Sequence, residues 1–150
     1  MTLNTILVAV GPGDADRAEE IAEATVEVAA PSNATVVLAH VFTEEEYDDV
    51  LDRLEFDTER TEVSPDEVAQ RHATIRTLAD SLDAYDVEFE VRGAVGEHGD
   101  TIVDLAEEIG VDRVIVGGRK RSPTGKAVFG STAQKVMLSA PCPVTFVREE

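Results

Sequence analysis

RVIVGGRKRSPTGKAVFGSTAQKVMLSAPCPVTFVR, residues 113–148, contains no Asp or Glu, in a chain of 150 residues with 31 acids and a formal net charge of −18. Its bases are Arg113, Arg119, Lys120, Arg121, Lys126, Lys135 and Arg148. A segment kept free of carboxylates in so acidic a chain points to an approaching anion, because like charge repels it and desolvated carboxylates are costly. The internal order is equally informative. Val114-Ile115-Val116 is an apolar run that meets Gly117-Gly118, a basic loop follows, and Gly130-Ser131-Thr132 opens a helical segment. Strand, glycine turn, basic loop and helix N-terminus are the elements of a phosphate cradle.

Working outward, Thr5–Val10 is a continuous apolar run ended by Gly11-Pro12-Gly13, which suits a strand covered on both faces of a parallel sheet. Asp14 or Asp16 is positioned to cap the helix that follows, with Glu19 completing a capping box after Asp16, and Pro31 is expected to stop that helix at Ala30. Thr35–Phe42 reads as a second buried strand. Residues 43–63 are dense in acids and weakly periodic, an excursion with helical turns around Tyr47, Val50, Leu51 and Leu54. Ser64-Pro65-Asp66-Glu67 is a strong helix start, and the periodicity predicts one helix to about Leu82. Residues 87–91 alternate, which predicts a wetter strand near an edge. A helix over 100–109, a strand over 113–117, a helix over 131–138 and a strand over 143–147 complete the chain. The alternation β-α-β-α-β-α-β-α-β predicts a single α/β domain, residues 1–150, with a mainly parallel sheet. Ligands of such sheets bind outside the carboxyl ends of the strands, which selects the loops at 11–14, 40–43 and 117–129.

Composition narrows the class. No apolar run approaches ~18 residues, the N-terminus lacks a basic flank and a small-residue cleavage site, and no membrane span or signal peptide is expected. Cys142 is the only cysteine, so an internal disulfide is excluded and a reducing cytoplasm is expected. Lysine is scarce beside arginine and the acids are spread along the first 112 residues. That pattern resembles a halophilic archaeal protein, whose self-repulsion is screened where ~1 M ions shrink the Debye length to about 3 Å. Nucleic acid is not an expected partner of so acidic a surface.

Gly125-Lys126-Ala127 is not a Walker loop, because no glycine stands five before Gly125 and alanine replaces the Ser or Thr. Gly11-Pro12-Gly13 carries half of a dinucleotide fingerprint, with Asp16 at the third glycine position. His40, His72 and His98 are scattered. His40 ends the second strand near the expected cleft, whereas Asp100, after His98-Gly99, is read as a helix cap. Cys142, between two prolines, is read as a small buried residue.

Taken together these segments resemble the universal stress protein family, whose nucleotide-binding members carry G-x-x-G-x9-G-[ST] after the fourth strand. Gly117 matches the first glycine, and Gly130-Ser131 close the motif with the nine-residue gap intact. Lys120 stands where the second glycine belongs. The likeness extends to Ile6–Val10, His40-Val41, residues 112–117 and residues 133–144, and so covers essentially the whole chain. It implies a Rossmann-like three-layer α/β/α sandwich, a five-stranded sheet ordered 3-2-1-4-5, and a homodimer through the C-terminal strand. It also implies an adenine nucleotide, ATP with Mg²⁺, held by Val41 on the adenine side and by Gly117, Lys120, Gly130, Ser131 and Thr132 around ribose and phosphate. Arg119, Arg121 and Gly11 are further candidates. ATP-binding members place an aspartate directly after the first strand, where this chain has Gly11.

The function expected from this resemblance is a cytoplasmic binding module, a sensor or switch with no catalytic residues of its own. A dimeric interaction protein of the same family that holds no nucleotide is the alternative, favoured by Gly11 and Lys120.

Overall fold

The computed structural model describes residues 3–53, 64–118 and 130–148. The order is β1 (Thr5–Val10), a 3-10 turn (Pro12–Arg17), α1 (Ala18–Ser32), β2 (Thr35–Phe42), α2 (Glu44–Arg53), α3 (Pro65–Arg71), α4 (Ala73–Ala84), β3 (Phe89–Val95), α5 (His98–Ile109), β4 (Arg113–Gly118), α6 (Ser131–Ser139) and β5 (Val144–Arg148). All strand pairs are parallel and the sheet order is β3-β2-β1-β4-β5.

The continuous apolar runs are explained by two cores. On one face Ile6, Val8, Leu38 and Ile115 pack against Ile21 of α1 and Ile75, Leu78 and Leu82 of α4. On the other, Leu7, Ala9, Val37, Val41, Val114 and Val116 pack against Ile102 and Leu105 of α5 and Val136 of α6. Alternate residues of β1, β2 and β4 therefore face different helix layers, and neither set can be polar. β3 forms one edge and is only partly buried, as its alternating sequence predicts. It starts at Phe89 and runs to Val95, later and further than residues 87–91. Among the described residues no helix is long and apolar enough to cross a membrane.

Several local expectations are corrected. Pro31 does not stop α1, which continues to Ser32. A proline this close to a C-terminus forfeits one backbone hydrogen bond, and the actual stop is Asn33 in the left-handed region at φ 57°. Asn33 N–H donates to Ala30 O at 3.3 Å and Ala34 N–H to Ala29 O at 3.1 Å, which satisfies the terminal carbonyls. Neither Asp14 nor Asp16 caps α1, whose N-cap is Arg17; Asp14 serves the preceding turn. The helix expected from Ser64 to Leu82 is two helices, broken at His72, which is extended (ψ 135°) and whose Nδ1 accepts the Thr74 N–H at 3.3 Å. Its start holds, with Ser64 Oγ accepting the Glu67 N–H.

The first part of the 43–63 excursion is α2, while residues 54–63 lie outside the described residues. The cap of α5 is Glu97 and not Asp100: its carboxylate accepts the N–H groups of Gly99 and Asp100 at 3.1 and 2.8 Å. Asp100 instead pairs with Lys135 at 3.0 Å, joining α5 to α6. Cys142 is half-buried beside the α5/α6 core, not fully buried. Asp112 fixes β1 to the start of β4 by accepting N–H groups of Asn4 and Thr5, and these bonds hold its carboxyl below the usual range.

Candidate functional site

The chain passes from β1 through β2 to β3 on one side and returns across β1 to β4 and β5 on the other. The two loops leaving β1 and β4 therefore diverge and open a crevice at the carboxyl edge of the sheet. A cleft of about 440 Å³ lies there. Ala9 to Asp14 line it from β1 and its turn, Val41 from the end of β2, Glu46 from the first turn of α2, His98 and Ile102 from α5, Val116 to Gly118 from β4, and Gly130 to Ala133 from the start of α6.

The turn after β1 is held by a small buried network. Gly11 N–H donates to Asp14 Oδ2 at 2.8 Å, Asp14 N–H returns to Gly11 O at 3.0 Å, and Arg17 Nε donates to Asp14 Oδ1 at 2.9 Å. Burial raises the Asp14 carboxyl above the ordinary range, and the Gly11 N–H and Arg17 offset it only in part. Gly117 sits against this network. A Cβ there would lie 2.8 Å from Arg17 Cδ and from Ile21 Cδ1, so the close packing of β4 on the turn requires glycine. Gly11 is different: its backbone is extended (φ −139°, ψ −174°), and among the described residues a Cβ would meet only Val41 O at 3.7 Å and His98 Nε2 at 3.9 Å.

At the opposite end of the cleft, Gly130 is the N-cap of α6 and supplies no side-chain cap, while Ser131 and Thr132 occupy the first helical positions. Gln134 N–H closes the first helical bond to Gly130 O at 3.0 Å. The first-turn N–H groups therefore face the cleft mouth with the positive end of the helix dipole behind them, and among the described residues nothing lies within 4 Å of a Cβ at Gly130.

Near β2, Glu46 and His98 face each other, His98 Nε2 to Glu46 Oε1 at 2.6 Å. Glu46 Oε1 also accepts the Thr43 N–H at 2.8 Å, and Glu46 N–H donates to Thr43 Oγ1 at 3.2 Å, which is a capping box opening α2. Among the described residues no group of three or more His, Cys, Asp or Glu side chains gathers to hold a metal ion. Asp14 commits both carboxylate oxygens to the contacts given above, and Glu46 commits Oε1.

The structure thus brings Val41, Gly11, Gly117, Gly130, Ser131 and Thr132 to one cleft. Lys120, Arg119 and Arg121 lie outside the described residues. His40 is not among the cleft residues: it is fully buried, stacked on Phe42 at 4.2 Å and against His72 at 4.1 Å. Burial, and then His72 and His98, lower its pKa to about 3. Glu46 and the Asp14–Arg17 pair are cleft residues outside the set expected from the sequence. The Thr43-x-x-Glu46 capping signature was the available signal for the first; nothing short of the fold pairs Glu46 with His98.

A five-stranded parallel sheet of order 3-2-1-4-5 with a cleft at its switch point defines a Rossmann-like α/β fold. The family model for the universal stress protein family matches residues 2–148, and the chain belongs to that family. A universal stress protein of Mycolicibacterium smegmatis is 36% identical over 69 residues, 41% of this chain and 48% of that protein, so the match spans about half the length of the relative. The universal stress protein from Archaeoglobus fulgidus in complex with dAMP is similar over 98% of this chain and 99% of its own, with 24% identity and a TM-score of 0.66. A universal stress protein in complex with cAMP matches over 100% of both chains, with 20% identity and a TM-score of 0.67.

Proposed function

We propose that this chain is a cytoplasmic stress-response module that binds an adenine nucleotide, ATP, in the cleft between β1 and β4, as a sensor or switch and not as a catalyst. The observation that carries the reading is the join of Gly117-Gly118 to the uncapped start of α6 on one cleft of about 440 Å³, a volume suited to a small organic ligand. Phosphate oxygens would accept the first-turn N–H groups and the Ser131 and Thr132 hydroxyls, with the bases Arg119, Lys120 and Arg121 of the adjoining sequence neutralising their charge. The base would lie toward Val41, whose side chain and neighbour Ile102 make that end apolar. Magnesium would arrive on the phosphates. Structural relatives that hold dAMP and cAMP support the adenine nucleotide. A homodimer is proposed through β5, which pairs with β4 on one side and forms the sheet edge on the other.

Titration calorimetry with ATP and Mg²⁺, at salt high enough to keep the acidic chain folded, tests the reading. Saturable heat at one site per chain supports it, and no heat with no nucleotide in the purified protein refutes it. Gly11 in place of the family's aspartate favours the second reading, a dimeric interaction protein without nucleotide. ATP binding created only by Gly11→Asp together with Lys120→Gly would select that reading.

A further inference from the structure

The cleft has two chemically opposite ends. At the β4 side lie N–H groups, hydroxyls and a helix N-terminus, all suited to an anion. At the β2 side stands a carboxylate, Glu46, held by two donors on one oxygen: Thr43 N–H at 2.8 Å and His98 Nε2 at 2.6 Å. Both bonds fall on Oε1, and among the described residues Oε2 takes no partner. The side chains of Glu46 and His98 are about a third exposed (30% and 26%), and both line the cleft. A carboxylate placed there repels phosphate and invites a donor. The ligand that satisfies both ends carries N–H donors at one end and negative charge at the other.

The space beside this pair is the space a side chain at position 11 would fill. A Cβ on Gly11 would be 3.9 Å from His98 Nε2 and 3.7 Å from Val41 O. The carboxylate that the family resemblance places directly after β1 is absent here, and Glu46 presents one from the β2 side of the same opening. Building on the nucleotide reading above, we infer that Glu46, positioned by His98, is the residue that selects a 6-aminopurine, its free oxygen accepting a hydrogen bond from the exocyclic amine. A 6-oxopurine presents an acceptor at that atom and meets the carboxylate lone pairs instead. His98 acts through Glu46 and is a positioning residue.

The capping box supplies a clean variant. Glutamine also serves at the third position of such a box, so Glu46→Gln keeps α2 capped through its carbonyl oxygen on the Thr43 N–H. Its amide nitrogen then faces the cleft in place of Oε2. The experiment is calorimetric titration of the purified full chain with ATP and, separately, ITP, each with Mg²⁺, for the wild type, Glu46→Gln, His98→Gln and His98→Leu. Circular dichroism confirms the fold of each. The wild type is expected to prefer ATP by at least about tenfold. Glu46→Gln is expected to cut the ratio to about threefold or less, or to invert it. His98→Gln, which retains a donor for Glu46, should keep the preference, and His98→Leu should weaken it. Binding of neither nucleotide by the wild type overturns the nucleotide reading and this inference with it. Binding of both with equal affinity, or a ratio that Glu46→Gln leaves unchanged, overturns this inference alone.

Discussion

One methyl group added at either of two glycines on the cleft should have opposite effects on stability. At Gly117 the added Cβ would sit 2.8 Å from Arg17 Cδ and Ile21 Cδ1 and 3.0 Å from Asp14 Oδ1. Carbon atoms prefer about 3.5–4.0 Å, so each carbon contact is roughly 0.7 Å too close. The neighbours have little freedom to retreat. Arg17 is 8% exposed, its Nε is tied to Asp14 at 2.9 Å, and Asp14 is tied to Gly11 N–H at 2.8 Å. Overpacking of this kind costs about 1–3 kcal/mol. The lower unfolded-state entropy of alanine returns about 0.4–1 kcal/mol, which leaves Gly117→Ala about 1–2 kcal/mol less stable.

Gly11→Ala meets nothing closer than 3.7 Å among the described residues, and its φ of −139° is open to any residue, so the entropy gain remains. The two variants should differ by about 2 kcal/mol, or roughly 4–8 °C in Tm for a chain of this size. Urea titrations at one fixed high salt and without nucleotide measure the difference as a shift in midpoint at constant slope. Equal midpoints, or a Gly11→Ala variant less stable than Gly117→Ala, would refute the packing argument.

Gly93→Ala should be more damaging than either, because its Cβ would strike the backbone carbonyl of Pro65 at the start of α3, and backbone cannot turn aside; a loss of about 3 kcal/mol or more, or failure to fold, is expected in the same titration. His40 is buried with its pKa lowered to about 3 and with neither ring nitrogen hydrogen-bonded among the described residues. The unfolded chain takes up that proton near pH 6.5 and the folded chain does not until about pH 3. Stability from this residue is thus complete above pH 6.5 and is lost as pH falls through that window. His40→Phe should remove the loss, so its advantage over wild type should grow by about 2 kcal/mol between pH 8 and pH 5. An advantage independent of pH would show that His40 is already charged in the fold. Glu97→Ala removes the acceptor of the Gly99 and Asp100 N–H groups and should cost about 1 kcal/mol, seen by thermal unfolding.

What the sequence disclosed follows from how local each signal is. Thr5–Val10, Thr35–Phe42 and the run beginning at Arg113 are apolar at every position because both sheet faces are covered, and that requirement is written residue by residue. Ser64-Pro65 marks a helix start through its own backbone chemistry. The misplaced boundaries are those set by competition. Pro31 loses one bond but does not outweigh the left-handed turn at Asn33 two residues later. His72 breaks a helix that periodicity favours, in a segment where His72 packs against His40 from β2. At the cleft, Gly117 and Gly130 to Thr132 were legible because a glycine turn and a helix start are short motifs. Glu46 and His98 are separated by 52 residues and meet only because the ends of β2 and β3 lie side by side.

That separation also decides whether an acidic end is compatible with an anion site. β1 stands between β2 and β4, so the two ends of the cleft are two interstrand spacings apart, or about 10 Å. At that distance a carboxylate and a phosphate charge repel by about 0.4 kcal/mol in water-like surroundings, and by less once salt shortens the Debye length. A single hydrogen bond from an amine to a carboxylate contributes about 1.5–3 kcal/mol. Contact at the β2 end therefore outweighs repulsion across the cleft for any ligand long enough to touch both ends, and not for a free phosphate, which meets only the β4 end. On the proposed nucleotide reading the arrangement would discriminate by length as well as by charge. A base joined through ribose to phosphate meets both conditions, and inorganic phosphate meets only one.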